Sequence, residues 1–312
     1  MDDAARLERF AKIAVYVSDA TSIPFKLFTF YIVVFHTPKR LRQVSLFILN
    51  EMFWNFLCNI LFCFATVIPA MPAECFKFVD LYGWLAFLRP EFGGHLFWKV
   101  LFSLASQCGV AIVLNFHFRY VAICHSQRMK TVHPAWGYFY CIGLHLVFAV
   151  FILYTLQQWE ISLEDYPNPE EIAGKDGLFC YSPNEASKNL MIPGIFGMCV
   201  VFAILGVTPI ILSFLHLKRQ EKAVQARTVD MQRKVLLNLV KLAAVPLLMA
   251  GVPALVGAFC VYYTHLNGVN EVFLVCYLVL LNHGTFYGIV TFCVFAEYRK
   301  VVKRMLLRIA HA

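Results

Sequence analysis

The chain has 312 residues, 60% hydrophobic and only 15% charged, with a formal net charge of +8. A soluble domain of this size carries about a quarter charged residues, so the deficit, with 30 Phe spread from end to end, points to a polytopic membrane protein. Nucleic acid is excluded as a partner because the basic residues form no single patch and alternate with apolar runs.

Residues 1–13, MDDAARLERFAKI, lack the basic-then-apolar order of a cleaved signal peptide. The first span is therefore expected to act as its own insertion signal. It covers about 14–36 and is interrupted by Asp19, Pro24 and Lys26; a basic turn, Thr37-Pro38-Lys39-Arg40-Leu41-Arg42, follows. Span two is expected over 44–69, with Asn50, Glu51, Asn55 and Asn59 inside it, and a loop to about 94 closes on Gly93-Gly94.

Span three, 96–123, is the strut around which the rest is arranged. Its apolar run has one early lysine and no proline, and ends on His117, Phe118, Arg119 and Tyr120. About 28 residues of helix are enough to cross a bilayer with some tilt. Span four is expected over 135–157, span five over 193–217, span six over 235–263 and span seven over 271–296. Neither Gly nor Pro occurs between Pro209 and Pro246, so spans five and six are expected to extend beyond the membrane and meet in a short turn.

From Glu297 onward, Val301, Val302, Met305, Leu306 and Ile309 recur on one helical side and Arg299, Lys300, Lys303, Arg304 and Arg308 on the other. Such a segment, 297–311, reads as an amphipathic helix at the membrane surface, or else as a solvated helix. The expected fold is all-α: one seven-transmembrane bundle over residues 1–312 with that short surface helix.

Segments 37–43, 124–134, 218–234 and 297–312 hold 16 Lys and Arg; the alternate segments 1–13, 70–94, 158–192 and 264–270 hold 7. Basic excess marks the cytoplasmic side, so the N-terminus is expected outside and the tail inside a plasma membrane. Most of the 11 Cys lie inside spans, where they act as small apolar residues. No Cys/His run has zinc spacing, and no cofactor is expected. No paired carboxylates, metal-spaced histidines or Ser/His/Asp set appears at one depth, which argues against an enzyme.

A family resemblance rests on four regions in order. Thr37-Pro38 followed by Leu49-Asn50 and Trp54, then Arg119-Tyr120, then Pro246 and Pro253, then His283-Gly284 with Tyr298-Arg299, resembles the nematode serpentine chemoreceptors. The similarity is to the Srh/Sri-like classes of the Str superfamily. It implies a G-protein-coupled receptor for small environmental molecules in a sensory-cell membrane, the cilium included, with a heterotrimeric G protein as partner. Three departures stand: no acid precedes Arg119, span seven lacks Asn-Pro-x-x-Tyr, and span six has no Trp before its prolines. Arg119 is thus either held by another group, loosely locked, or a headgroup anchor. A ligand-gated channel or small-solute transporter is the alternative, against which the absence of internal repeats counts.

Lys99, Phe102, Ser103, Ser106, Gln107, Tyr262 and Tyr277 are the expected ligand contacts, on the outer halves of spans three, six and seven. Arg119, Tyr120, Lys218, Arg219, Arg233, Lys234, Tyr298 and Arg299 are the expected G-protein and activation residues. Cys75 and Cys180 fall in loops on one side, where an oxidising exterior favours a disulfide over two free thiols. Lys26 lies near mid-bilayer and needs a partner. Glu51 is the expected one, with Asn55 or Asn50 completing the hydrogen bonding, as a clamp between spans or as part of an ion path.

Overall fold

The computed structural model describes residues 3–81, 87–129, 131–220 and 226–310. Seven of its helices are long and apolar enough to cross a membrane. They are α1 (Asp3–Phe35), α2 (Arg42–Phe62), α3 (Pro90–Cys124), α4 (Ala135–Trp159), α5 (Glu185–Gln220), α6 and α7 (Val269–Val294). The sixth, α6, runs as Ala226–Pro246, a π-helical turn Leu247–Gly251, and Val252–Tyr262. The tail forms α8 (Ala296–Ala310). The turn expected between spans five and six falls on residues 221–225, outside the described residues, as does residue 311 of the tail.

Several boundaries differ from expectation. Helix α1 begins in the polar N-terminal stretch, because no Gly or Pro interrupts residues 3–23 and Ala11 and Val15 pack into the core at 0% exposure. Span two stops at Phe62, and residues 65–69, Ala-Thr-Val-Ile-Pro, form strand β1. An apolar run of that kind suits either state, and its β-branched residues favour the strand. Gly93 and Gly94 lie inside α3, which starts on Pro90 at its first turn.

A four-stranded antiparallel sheet caps one end of the bundle, a feature the apolar runs do not announce. Its strands are β1 (Ala65–Pro69), β2 (Cys75–Leu81), β3 (Glu160–Ile161) and β4 (Leu178–Tyr181), in the order β1-β2-β4-β3. Cys75 lies directly opposite Cys180, and the two are joined in a disulfide. Alternation divides the sheet's faces. Phe76, Phe78, Phe179 and Tyr181 pack into the bundle core, whereas Cys75, Leu178 and Cys180 pack under Tyr166, Ile161, Leu163 and Ile172. Gly94 makes the junction possible, since a Cβ there would sit 2.1 Å from the Phe179 ring.

The bundle core has two apolar clusters. The one beneath the sheet includes Val15, Cys58, Phe62, Leu101, Tyr277 and Leu281. The one at the opposite end, here the tail end, includes Ile32, Ile48, Met52, Phe116, Tyr287 and Tyr298. Between them α1, α2 and α7 turn polar: Asp19, Ser22 and Lys26 in α1, Glu51 and Asn55 in α2, and His283 in α7, all buried. Helix α3 packs against α2, α4 and α5, and α1 against α2 and α7. Helix α4 keeps Trp136, Phe139, Ile142, Val147 and Val150 exposed, as a lipid-facing helix does.

Candidate functional site

The polar layer is built from α1, α2 and α7. Glu51, Asn55 and Asn59 recur every fourth residue and so share one face of α2. The Lys26 ammonium donates to the side-chain oxygens of Asn55 and Asn59. The Asn59 amide in turn donates to Asp19 Oδ1 at 3.3 Å.

The expected Lys26–Glu51 contact does not form. Lys26 reaches up α2, and Glu51, a turn below Asn55, lies with Oε1 3.8 Å from His283 Nε2. Asn50 points elsewhere, accepting from Trp54 Nε1 at 3.0 Å. His283 Nδ1 donates to the Leu280 carbonyl at 2.7 Å, leaving Nε2 to accept from the Asn55 amide at 2.7 Å. Gly284 lets α7 approach this closely, because a Cβ there would lie 1.6 Å from Asn55 Oδ1 and 2.8 Å from Lys26 Cε.

Under the sheet, aromatic rings interlock. Phe76 meets Trp98 at 5.0 Å between centroids, and Phe62 meets Tyr277 at 5.1 Å, both edge to face. Buried polar atoms in this region with no hydrogen-bond partner among the described residues include Trp98 Nε1, Ser103 Oγ, Tyr181 OH and Tyr277 OH. The other expected ligand contacts serve neighbouring helices. Lys99 pairs with Glu160 at 2.7 Å and donates to Gln157 at 2.6 Å. Ser106 donates to the Ser103 carbonyl, while Gln107 donates to Ser106 and accepts from His145 of α4. Phe102 packs on Trp98 at 5.0 Å, and Tyr262 sits half-exposed against Tyr263.

The sheet is fastened from outside as well. Lys188 at the start of α5 donates to Glu74. The Tyr166 hydroxyl accepts from the Glu74 backbone N–H at 3.1 Å and lies 3.0 Å from Glu74 Oε2. Burial pushes the Tyr166 phenol up, so it stays a proton donor to that carboxylate.

The sequence motifs meet in space. Thr37 of the Thr-Pro turn bonds the hydroxyl of Tyr298, from the Tyr-Arg pair, at 2.8 Å. Asn55 of span two meets the His283-Gly284 pair of span seven. The family description "Serpentine type 7TM GPCR chemoreceptor Srh" matches residues 7–308. The chain belongs to the Srh chemoreceptor family. A comparison with curated proteins finds no match.

At the tail end of this Srh receptor, Arg119 is half-buried, and its Nε is enclosed with no hydrogen-bond partner among the described residues. Where an acid is absent, His117 instead bonds Tyr140 of α4 and the Leu205 carbonyl of α5. Tyr120 bonds His125 at 3.3 Å. Lys218 and Arg219 are exposed on α5, as are Arg233 and Lys234 on α6, where Lys234 pairs with Asp230 at 2.7 Å. Arg299 donates to the Cys293 carbonyl at 2.9 Å, and Tyr298 is buried on Phe295. The expected activation residues therefore divide into buried Tyr298, half-buried Arg119 and Tyr120, and a solvated basic rim.

Asn59, Asp19, Cys108 and His283 complete the polar layer and are not among the expected partners of Lys26. The repeat 51, 55, 59 on one helix face is the signal that finds Asn59. Asp19 lies seven residues before Lys26, two helical turns away on the same side. Nothing local in the sequence places His283 beside α2.

Proposed function

We propose that the receptor holds a small molecule beneath the sheet, between the sheet-end halves of α3, α5, α6 and α7. Binding shifts its population toward an arrangement open at the tail end, where a heterotrimeric G protein docks. The observation that carries the ligand site is the set of buried atoms without partners among the described residues on Trp98, Ser103, Tyr181 and Tyr277, three of them on rings packed against other rings. Buried polar atoms without partners each cost about 1–3 kcal/mol, so a hydrogen-bonding ligand among them gains what the free receptor lacks. Phe102 supplies apolar contact there, while Lys99, Ser106, Gln107 and Tyr262 act through the walls of the site.

The positive-inside rule supports a tail end in the cytoplasm and a sheet end outside, which matches a disulfide in the cap. Arg119, the basic rim of Lys218, Arg219, Arg233 and Lys234, and Tyr298 with Arg299 then face the G protein. The ligand acts only through its different affinities for the two arrangements.

The test is nucleotide exchange on a G protein in membranes bearing the receptor, screened against a panel of small polar and aromatic compounds. The expected result is compound-dependent exchange whose potency falls at least tenfold in Tyr277→Phe, with unchanged surface level. Ion current in cells without G proteins, and no exchange, would instead establish a channel.

A further inference from the structure

We propose that Glu51, Cys108 and His283 form a buried site for a transition-metal cation of the Zn²⁺ class, joining α2, α3 and α7 at the middle of the bundle. Their ligand atoms, one from each helix, all lie within 4.8 Å of one another, and the residues are 1%, 5% and 5% exposed. Zinc bonds of about 2.0–2.3 Å in a tetrahedron place neighbouring donors about 3.3–3.6 Å apart. The observed 3.8 Å between Glu51 Oε1 and His283 Nε2 needs only a small rotamer adjustment.

Two further observations point to a ligand rather than a chance cluster. Both carboxylate oxygens of Glu51 are buried with no hydrogen-bond partner among the described residues, although the asparagines of the same helix face are bonded. His283 already has the second bond that metal-binding histidines need. Its Nδ1 donates to the Leu280 carbonyl at 2.7 Å, which leaves Nε2, here accepting from the Asn55 amide, as the nitrogen 3.8 Å from Glu51 Oε1. On binding, the Nε2 lone pair gives up its hydrogen bond from the Asn55 amide and bonds the ion, the amide N–H turning aside while the Asn55 oxygen keeps its bond to Lys26.

The donor set selects the metal class. One sulfur, one imidazole nitrogen and one carboxylate oxygen suit zinc, whereas Ca²⁺ and Mg²⁺ want six or more oxygens. A hard monovalent cation has no role here, because the Lys26 ammonium already fills the asparagine oxygens. Charge closes as well. Carboxylates on Asp19 and Glu51 and a thiolate on Cys108 give three negative charges against one on Lys26, and a divalent ion brings the layer to neutrality. The Cys108 proton leaves to solvent as the Zn–S bond forms, and water takes the fourth position.

The experiment uses the full-length receptor, purified in detergent after expression with added Zn²⁺, then with Co²⁺ as a spectroscopic probe. Metal content after desalting is expected at about one zinc per chain. The Co²⁺ form should show tetrahedral d–d bands and a sulfur-to-cobalt charge-transfer band. Cys108→Ala should abolish the charge-transfer band, and Cys108→Ala with His283→Gln should lower zinc content at least tenfold. Wild type that carries neither zinc nor a thiolate–cobalt band overturns the proposal, as does undiminished zinc in the double variant. If the variants fail to fold, the wild-type metal content and cobalt spectrum decide alone.

Discussion

An ammonium group in the middle of a bilayer is tolerated only when acceptors surround it. Lys26 finds them in Asn55 and Asn59, with Asp19 beyond, and not in the carboxylate nearest by depth. Counting residues along two antiparallel helices gives depth but not azimuth, so the sequence shows that Lys26 needs a partner without showing which side chain turns toward it. The consequence is asymmetric. Lys26→Ala leaves two asparagine oxygens and a buried acid uncompensated, which costs about 3–5 kcal/mol. Glu51 accepts no hydrogen bond from a described residue and acts on Lys26 only through space, so Glu51→Gln is expected to cost less than Lys26→Ala in the metal-free receptor. Thermal unfolding in detergent with a chelator should show Lys26→Ala lowered by roughly 6–10 °C and Glu51→Gln within about 2 °C of wild type. Equal losses would restore a direct Lys26–Glu51 pair.

Gly284 allows a second test at the same scale. Its missing Cβ is the space that Asn55 occupies, so Gly284→Ala overpacks the layer at a cost of about 1–3 kcal/mol. At Gly143, in α4, a Cβ meets nothing within 4 Å, and Gly143→Ala should be neutral or gain about 0.5–1 kcal/mol. The comparison is read as the difference in melting temperature between the two variants. A Gly284→Ala receptor as stable as Gly143→Ala would mean that α7 does not press on Asn55.

The helices were legible because each needs only a long apolar run, and the sheet was not because its strands are two to seven residues long. Five residues of β1 are indistinguishable from one more turn of span two until they pair with β2, from Ala65 opposite Leu81 to Pro69 opposite Phe76, and β2 in turn pairs with β4 from far along the chain. The cysteines were the exception, being the pair that sequence reasoning could assign to one compartment. Their separation of 105 residues makes the link effective, since closing a long loop removes most entropy from the unfolded chain. Cys75→Ser with Cys180→Ser should therefore lower stability by about 2–4 kcal/mol, read as a shifted unfolding midpoint. Ligand-driven nucleotide exchange should weaken in parallel, because Phe76 and Tyr181 roof the proposed site. A double variant with unchanged midpoint and exchange would reduce the sheet to decoration. Similarly, α8 was legible from its period, but its attachment through Tyr298 to Thr37 joins residues 261 apart that no local pattern connects.

For the molecule as a whole, we propose that Arg119 governs how firmly the resting arrangement is held. No acid precedes it, and no described residue accepts from its enclosed Nε. The bonds of His117 to α4 and α5 tie the helices together but place no charge against the arginine. We propose that a receptor so built holds its resting arrangement without an ion pair at Arg119, so that its open and closed arrangements lie near in energy and high basal signalling is the expected outcome. Phe118→Asp supplies the missing carboxylate, and Phe118→Asn supplies the same size and the same loss of the Phe118 contacts with Phe47 and Tyr140. The difference between them isolates the charge. A part-buried ion pair of about 1 kcal/mol changes the closed-to-open ratio about fivefold, so ligand-free nucleotide exchange should be about fivefold lower in the Asp variant than in the Asn variant. Identical basal rates would show that Arg119 takes no part in holding the bundle shut and sits instead in the lipid headgroups.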